Sequence, residues 1–80
     1  MEERNEVLAN IINFAAMAYK KPEAEINENT NISEELGVQS MQRVALSASI
    51  ENEYDVMIPV ARIGKFETIG DLVDYVMDEM

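Results

Sequence analysis

The sequence predicts an all-α fold, a bundle of three main helices with a short additional helix before the last one. Three observations predict it. Apolar residues recur at helical spacing in three separate segments, Pro, Gly and Asn gather between those segments, and no stretch makes a convincing strand. With 80 residues, 48% of them apolar and 28% charged, the chain has the size and balance of one folded domain over residues 1–80.

The first helix is read from Val7, Leu8, Ile11, Ile12, Ala15 and Ala18, with Phe14 extending the face. Glu2, Glu3 and Glu6 load its N-terminal end and Lys20 and Lys21 its C-terminal end, both favourable to the helix dipole. Pro22 disfavours helix at Lys21, so the helix ends near Tyr19 or Lys20. Glu23 to Glu35 is polar and Asn-rich, with Ile26 and Ile32 as isolated apolar anchors. It is long for a connection, which points to a functional loop. Gly37 turns the chain, and Ser40 to about Tyr54 runs as a second helix without Pro or Gly. Val60 to about Lys65 can form a short helix weakened by Gly64. Thr68-Ile69-Gly70-Asp71 is a capping box with Asp in place of Glu. Ile69, Leu72, Val73, Val76 and Met80 then form a stripe to the C-terminus.

Composition excludes several kinds of chemistry. The chain has no Cys and no His, so it lacks disulfides, thiol nucleophiles, the usual zinc ligands and the commonest general base. Only carboxylates, Ser, Tyr and Lys are left for catalysis, a poor set for an enzyme. Glu34, Glu35 and neighbouring acids read as solvated surface rather than as a Mg²⁺ or Ca²⁺ site. The acidic MEERNE start with no long apolar run behind it is not a secretory signal, and no segment is long enough to insert in a membrane. The formal net charge of −10, from 16 acids and 6 bases, repels nucleic acid and anionic membranes and favours basic protein surfaces. The same charge also serves solubility alone.

The second helix is apolar on two sides. At about 100° per residue, with Met41 at zero, Leu46, Ile50 and Tyr54 fall near 140°, 180° and 220°. Met41, Val44, Ala45 and Ala48 gather around 0°, on the opposite side. The bulkier stripe is the core face, which leaves the other as an exposed partner surface. A helix buried all round is the competing reading. Ser47 and Ser49 flank the core stripe, either covering its edges or forming an unusually polar wall for a bound chain. Tyr54 and Tyr75 read as core or rim residues. Ser40 precedes the helix, where a hydroxyl ordinarily caps the first turn. The same position suits a phosphate ester, because a helix N-terminus favours anions.

Taken together, these segments resemble an acyl carrier protein. Thr30-x5-Leu36-Gly37-x-x-Ser40-Met41 is similar to that family's loop and attachment motif. Ile50-Glu51-x-Glu53-Tyr54-Asp55-x-x-Ile58-Pro59, Thr68-Ile69-x-x-Leu72-x-x-Tyr75-Val76 and Lys21-Pro22-Glu23 resemble its other landmarks in order. The resemblance covers essentially the whole chain. It implies that Ser40 carries 4′-phosphopantetheine, transferred from coenzyme A by a phosphopantetheinyl transferase. It further implies that the arm holds acyl cargo as a thioester, sheltered among the helices, with no catalysis by the domain itself. Partner enzymes that transfer, extend or ligate acyl groups in fatty-acid, lipid or polyketide-type biosynthesis would dock on the second helix. The implied partner surface is Gln39, Met41, Val44, Ala45, Ala48 and Glu51. A cytoplasmic, monomeric protein is the expectation that goes with it.

The sequence also departs from the family pattern. Gln39 stands where the acid before the attachment Ser is usual, and Gln42 and Ala45 replace acids early in the second helix. Arg43 adds a positive charge there, and Val60, Ala61 and Arg62 occupy commonly acidic places in the short helix. These changes point to a specialised carrier with a more apolar interface. They leave open an amino-acyl or peptidyl carrier, and an interaction module of the same fold without a prosthetic group.

Overall fold

The computed structural model describes residues 3–37 and 39–80. Glu2 and Val38, used above in reading the first helix and the Leu-Gly-x-x-Ser turn, lie outside the described residues. Helix α1 spans Arg4–Tyr19. Its buried residues are Val7, Ile11, Ala15, Ala16 and Tyr19, while Leu8, Ile12, Phe14 and Ala18 are only partly buried. The core row therefore follows an i, i+4 repeat, and Tyr19, expected only as a helix end, belongs to the core. Lys20 ends the helix in the left-handed conformation (φ 57°, ψ 49°). Its N–H and that of Lys21 both reach the Ala16 carbonyl, and Pro22 cannot continue the ladder.

The Asn-rich segment is ordered by its own side chains and by backbone bonds to the start of the last helix. Asn27 Oδ1 accepts from the Asn29 N–H at 2.8 Å, and Thr30 Oγ1 accepts from the Asn27 N–H at 2.9 Å. Ile26, Thr30 and Ile32 are buried, as the two Ile anchors required. Backbone bonds from Ile32 N to Glu67 O, Ile69 N to Thr30 O and Gly70 N to Glu28 O sew the segment to the start of the last helix, α4 (Ile69–Glu79). Ile32–Leu36 forms a π-helical turn, closed where the Gly37 N–H reaches the Ile32 carbonyl at 3.0 Å. This turn had no signature in the residue pattern. Gly37 then takes φ 127°, a region that L side chains rarely adopt.

Helix α2 is Ser40–Tyr54, α3 is Val60–Ile63 and α4 is Ile69–Glu79. The short helix is thus a single turn, shorter than the span to Lys65 expected, and it stops at Gly64. The capping box forms as read: Thr68 Oγ1 accepts from the Asp71 N–H and Asp71 Oδ2 from the Thr68 N–H. Ile69, Leu72, Val73 and Val76 are buried, but Met80 lies past the end of α4 and is exposed. Helix α1 packs against both α2 and α4, and α3 packs against α2. Arg4 ties the N-terminal end of α1 to Glu28 and Asp74, each at 2.9 Å. The architecture is an all-α bundle, and among the described residues the one β-type pairing is an isolated bridge between Asn31 and Thr68.

Candidate functional site

Helix α2 presents two unlike faces. Leu46 and Ile50 are fully buried, and Tyr54 is half-buried with its hydroxyl accepting from Asn10 Nδ2 at 2.7 Å. On the other side Met41 is 84% exposed and Val44 49%, and Ala45 and Ala48 are exposed with them. The helix is therefore not buried all round. Gln39 and Glu51 are also exposed. Toward its C-terminal end this face opens into a depression lined by Ala48, Ser49, Glu51, Glu53, Asp55 and Met57, with the acids between the two apolar side chains. Met57, 74% exposed, continues the apolar strip beyond the helix.

Ser40 is the first residue of α2, not its cap. Gln39 occupies the cap position in extended conformation (φ −71°, ψ 131°), without a side-chain cap bond, and its carbonyl accepts from the Arg43 N–H at 3.2 Å. The Ser40 side chain is exposed and makes no hydrogen bond to the described residues. The first-turn N–H groups of any helix lack intrahelical partners and give that end a partial positive charge. A phosphodiester on Ser40 Oγ would sit in that field with room around it. A groove of about 290 Å³ lined by Ala18, Lys20, Gln39, Met41 and Gln42 lies beside it. The residues present fit an attached phosphopantetheine.

Four side chains take roles that sequence reasoning missed. Ser47 is half-buried and donates its hydroxyl to the Ile58 carbonyl, so that hydroxyl is not free to form a polar wall. It fastens α2 to the segment leading into α3. Arg43 does not add charge to the docking face. Its side chain turns inward, and Nη2 donates to Ser33 Oγ at 3.2 Å. The same helical wheel contained this signal, since Arg43 falls near 200°, inside the core stripe. Tyr19, from α1, lies near the Arg43 guanidinium. Burial pushes its phenol pKa up, and Arg43 draws it partly back down. Arg62 is exposed, with its guanidinium over the Tyr75 ring, 5.0 Å from the centroid.

No described helix is long and apolar enough to cross a membrane, and no three acidic side chains among the described residues are grouped to hold a metal ion. Comparison with known proteins agrees with the geometry. Residues 10–76 match the phosphopantetheine attachment site family. The chain is 26% identical over 76 residues to an acyl carrier protein of Thermotoga maritima, covering 95% of this chain and 94% of that protein. It is 26% identical over 72 residues to an acyl carrier protein of Porphyromonas gingivalis, covering 90% of this chain and 92% of that one. It is 24% identical over 76 residues to the mitochondrial acyl carrier protein 3 of Arabidopsis thaliana, covering 95% of this chain and 58% of that one. Members of this family bear covalently attached 4′-phosphopantetheine, serve as carriers rather than catalysts, and work with a phosphopantetheinyl transferase and with biosynthetic enzymes. The match to the phosphopantetheine attachment site family over most of the chain, with its all-α architecture, makes this protein a member of the acyl carrier protein family.

Proposed function

We propose that Ser40 is the attachment residue and that the protein presents tethered acyl groups to partner enzymes through the exposed face of α2. The observation that supports this most directly is the exposed Ser40 hydroxyl, not engaged as a cap, at the N-terminal end of that helix. When bound, the prosthetic group supplies a terminal thiol on which cargo is held as a thioester. Ser40 Oγ forms the new P–O bond as the phosphoanhydride bond of coenzyme A breaks. The hydroxyl proton is lost to base and adenosine 3′,5′-bisphosphate leaves. The first turn of α2 favours the resulting negative charge.

Met41, Val44, Ala45 and Ala48 supply an apolar contact strip, with Gln39 at one end and Glu51 at the other. The strip has little charge near Ser40, so partners are steered less by electrostatics there and held more by apolar burial. The acids at Glu51, Glu53 and Asp55 place the negative end of the docking surface well away from Ser40. This favours a specialised carrier with dedicated partners in fatty-acid, lipid or polyketide-type biosynthesis, acting in the cytoplasm.

Intact mass after incubation with coenzyme A and a transferase tests the attachment. A phosphopantetheine increment that disappears in Ser40→Ala supports it. Full function retained by Ser40→Ala, with loss of partner binding in Val44→Asp, would instead establish an adaptor without a prosthetic group.

A further inference from the structure

The groove beside Ser40 joins the end of α1 to the start of α2. Ala18 and Lys20 line it from α1, and Gln39, Met41 and Gln42 line it from either side of Ser40 in the chain. Its volume of about 290 Å³ lies just below the roughly 300–1,000 Å³ of clefts for drug-sized ligands, so it takes a fragment rather than a long chain. Its walls are chemically mixed. Ala18 and Met41 are apolar, Gln39 and Gln42 carry amides, and Lys20 carries a charge.

Lys20 is the wall residue that the fold explains least. The chain has 16 acids against 6 bases, yet both ion pairs among the described residues are made by Arg4, and Lys20 is exposed without one. Its backbone has φ 57°, in the left-handed region that only Asp55 shares among the described non-glycine residues. Glycine is the usual residue at such a helix end, because a β-carbon is crowded there. The dipole of α1 favours a cation near this end, a role that Lys21 fills beside it. The side chains of Gln39 and Gln42 make no hydrogen bond to the described residues, so both amides are open to a ligand.

Phosphopantetheine begins with a phosphodiester, followed by a carbon bearing two methyl groups and then a hydroxyl and an amide. The groove offers a cation, two apolar side chains and two amides in one small space. We propose that it seats this proximal part of the arm. Lys20 is the counter-ion of the phosphodiester, Ala18 and Met41 pack on the two methyl groups, and the Gln39 and Gln42 amides exchange hydrogen bonds with the hydroxyl and amide. The inference rests on Ser40 carrying the arm. Met41 belongs both to this groove and to the exposed strip of α2. A partner that covers Met41 takes one wall from the groove, so docking loosens the seated arm.

The test uses the full chain, isotope-labelled and loaded with unlabelled phosphopantetheine, with loading verified by intact mass. The readout is the set of nuclear Overhauser contacts between the arm's methyl protons and the protein. The expected result is contacts to the Ala18 methyl and the Met41 ε-methyl. Lys20→Gln weakens them about twofold, the scale of one exposed ion pair, and Lys20→Arg keeps them. Lys65→Gln makes the same charge change at an exposed lysine that does not line the groove, and leaves them unchanged. Lys20→Gly suits the left-handed backbone, weakens the contacts as Lys20→Gln does, and serves if that variant does not fold. Contacts that are absent, or confined to other residues, overturn the proposal. Contacts unchanged by both Lys20→Gln and Lys20→Gly overturn it too. So does equal weakening in Lys65→Gln, because net charge alone then accounts for the effect. Absence of any mass increment is a separate result: it removes the attachment at Ser40 first, and this inference with it.

Discussion

Gly64 and Arg43 are packed so that the guanidinium of one fills the space that a side chain on the other would need. Gly64 has an ordinary right-handed conformation (φ −71°, ψ −9°), so its backbone does not itself demand glycine. Gly64→Ala therefore displaces Arg43 and breaks its bond to Ser33, lowering stability by about 1 kcal/mol. In an Arg43→Met background the same change is expected to be neutral or stabilising by about 0.5 kcal/mol, because alanine restricts the unfolded chain. Urea unfolding of the four proteins measures the coupling. Equal effects of Gly64→Ala in both backgrounds would refute the packing argument.

Tyr19→Phe removes a buried hydroxyl beside the Arg43 guanidinium and leaves the ring in place. Stability at neutral pH is expected to change by no more than about 1 kcal/mol, since only the weak contact with Arg43 is lost. The alkaline limb is diagnostic as well. Burial raises the Tyr19 pKa above its ordinary 10.0, so near that pH the unfolded chain releases a proton that the folded chain keeps. Stability from this group is thus complete below pH 10 and declines as pH rises from there through the folded pKa. Denaturant melts across that range should show a shallower alkaline decline in Tyr19→Phe than in the native sequence.

Ser47→Ala deletes the hydroxyl that Ile58 accepts from. The expected loss is about 1 kcal/mol, the usual net value of such a bond. Because Ser47 joins α2 to the segment before α3, hydrogen exchange of the α3 amides should quicken more than that of α1. Uniform quickening would show that the bond merely adds to global stability.

Met41→Asp and Val44→Asp act on exposed side chains. Their stability effects should stay within about 0.5 kcal/mol. Transfer of phosphopantetheine to Ser40, followed as kcat/KM by mass spectrometry, should fall at least about tenfold, because a charge is placed in an apolar contact. Normal transfer kinetics in both variants would place partner docking elsewhere.

Much of the helical framework was legible because its signals are local. Pro22 after Lys20 and Lys21, and Thr68 three residues before Asp71, act through backbone chemistry within a turn or two of themselves. The two faces of α2 were legible for the same reason, since the angle between Met41 and Ile50 follows from helix geometry alone. Helix α1 was read less well. Tyr19 looked terminal by its position beside Lys20, and its burial depends on α2 lying across it. Met80 continued the apolar stripe in sequence but not in space, because α4 ends before reaching it.

The residues by themselves determined the all-α class, the helix boundaries to within a residue or two and the exposure of the strip beginning at Met41. Tertiary structure decided that Ser40 follows the cap, that Ser47 is tied to Ile58, and that Arg43 lies inside near Tyr19, Ser33 and Gly64. The last two outcomes join residues from 10 to 24 positions apart along the chain, as the bonds between Arg43 and Ser33 and between Ser47 and Ile58 illustrate. Periodicity fixes a direction around one helix. It does not say which neighbour stands in that direction, or whether that neighbour leaves a niche for a guanidinium.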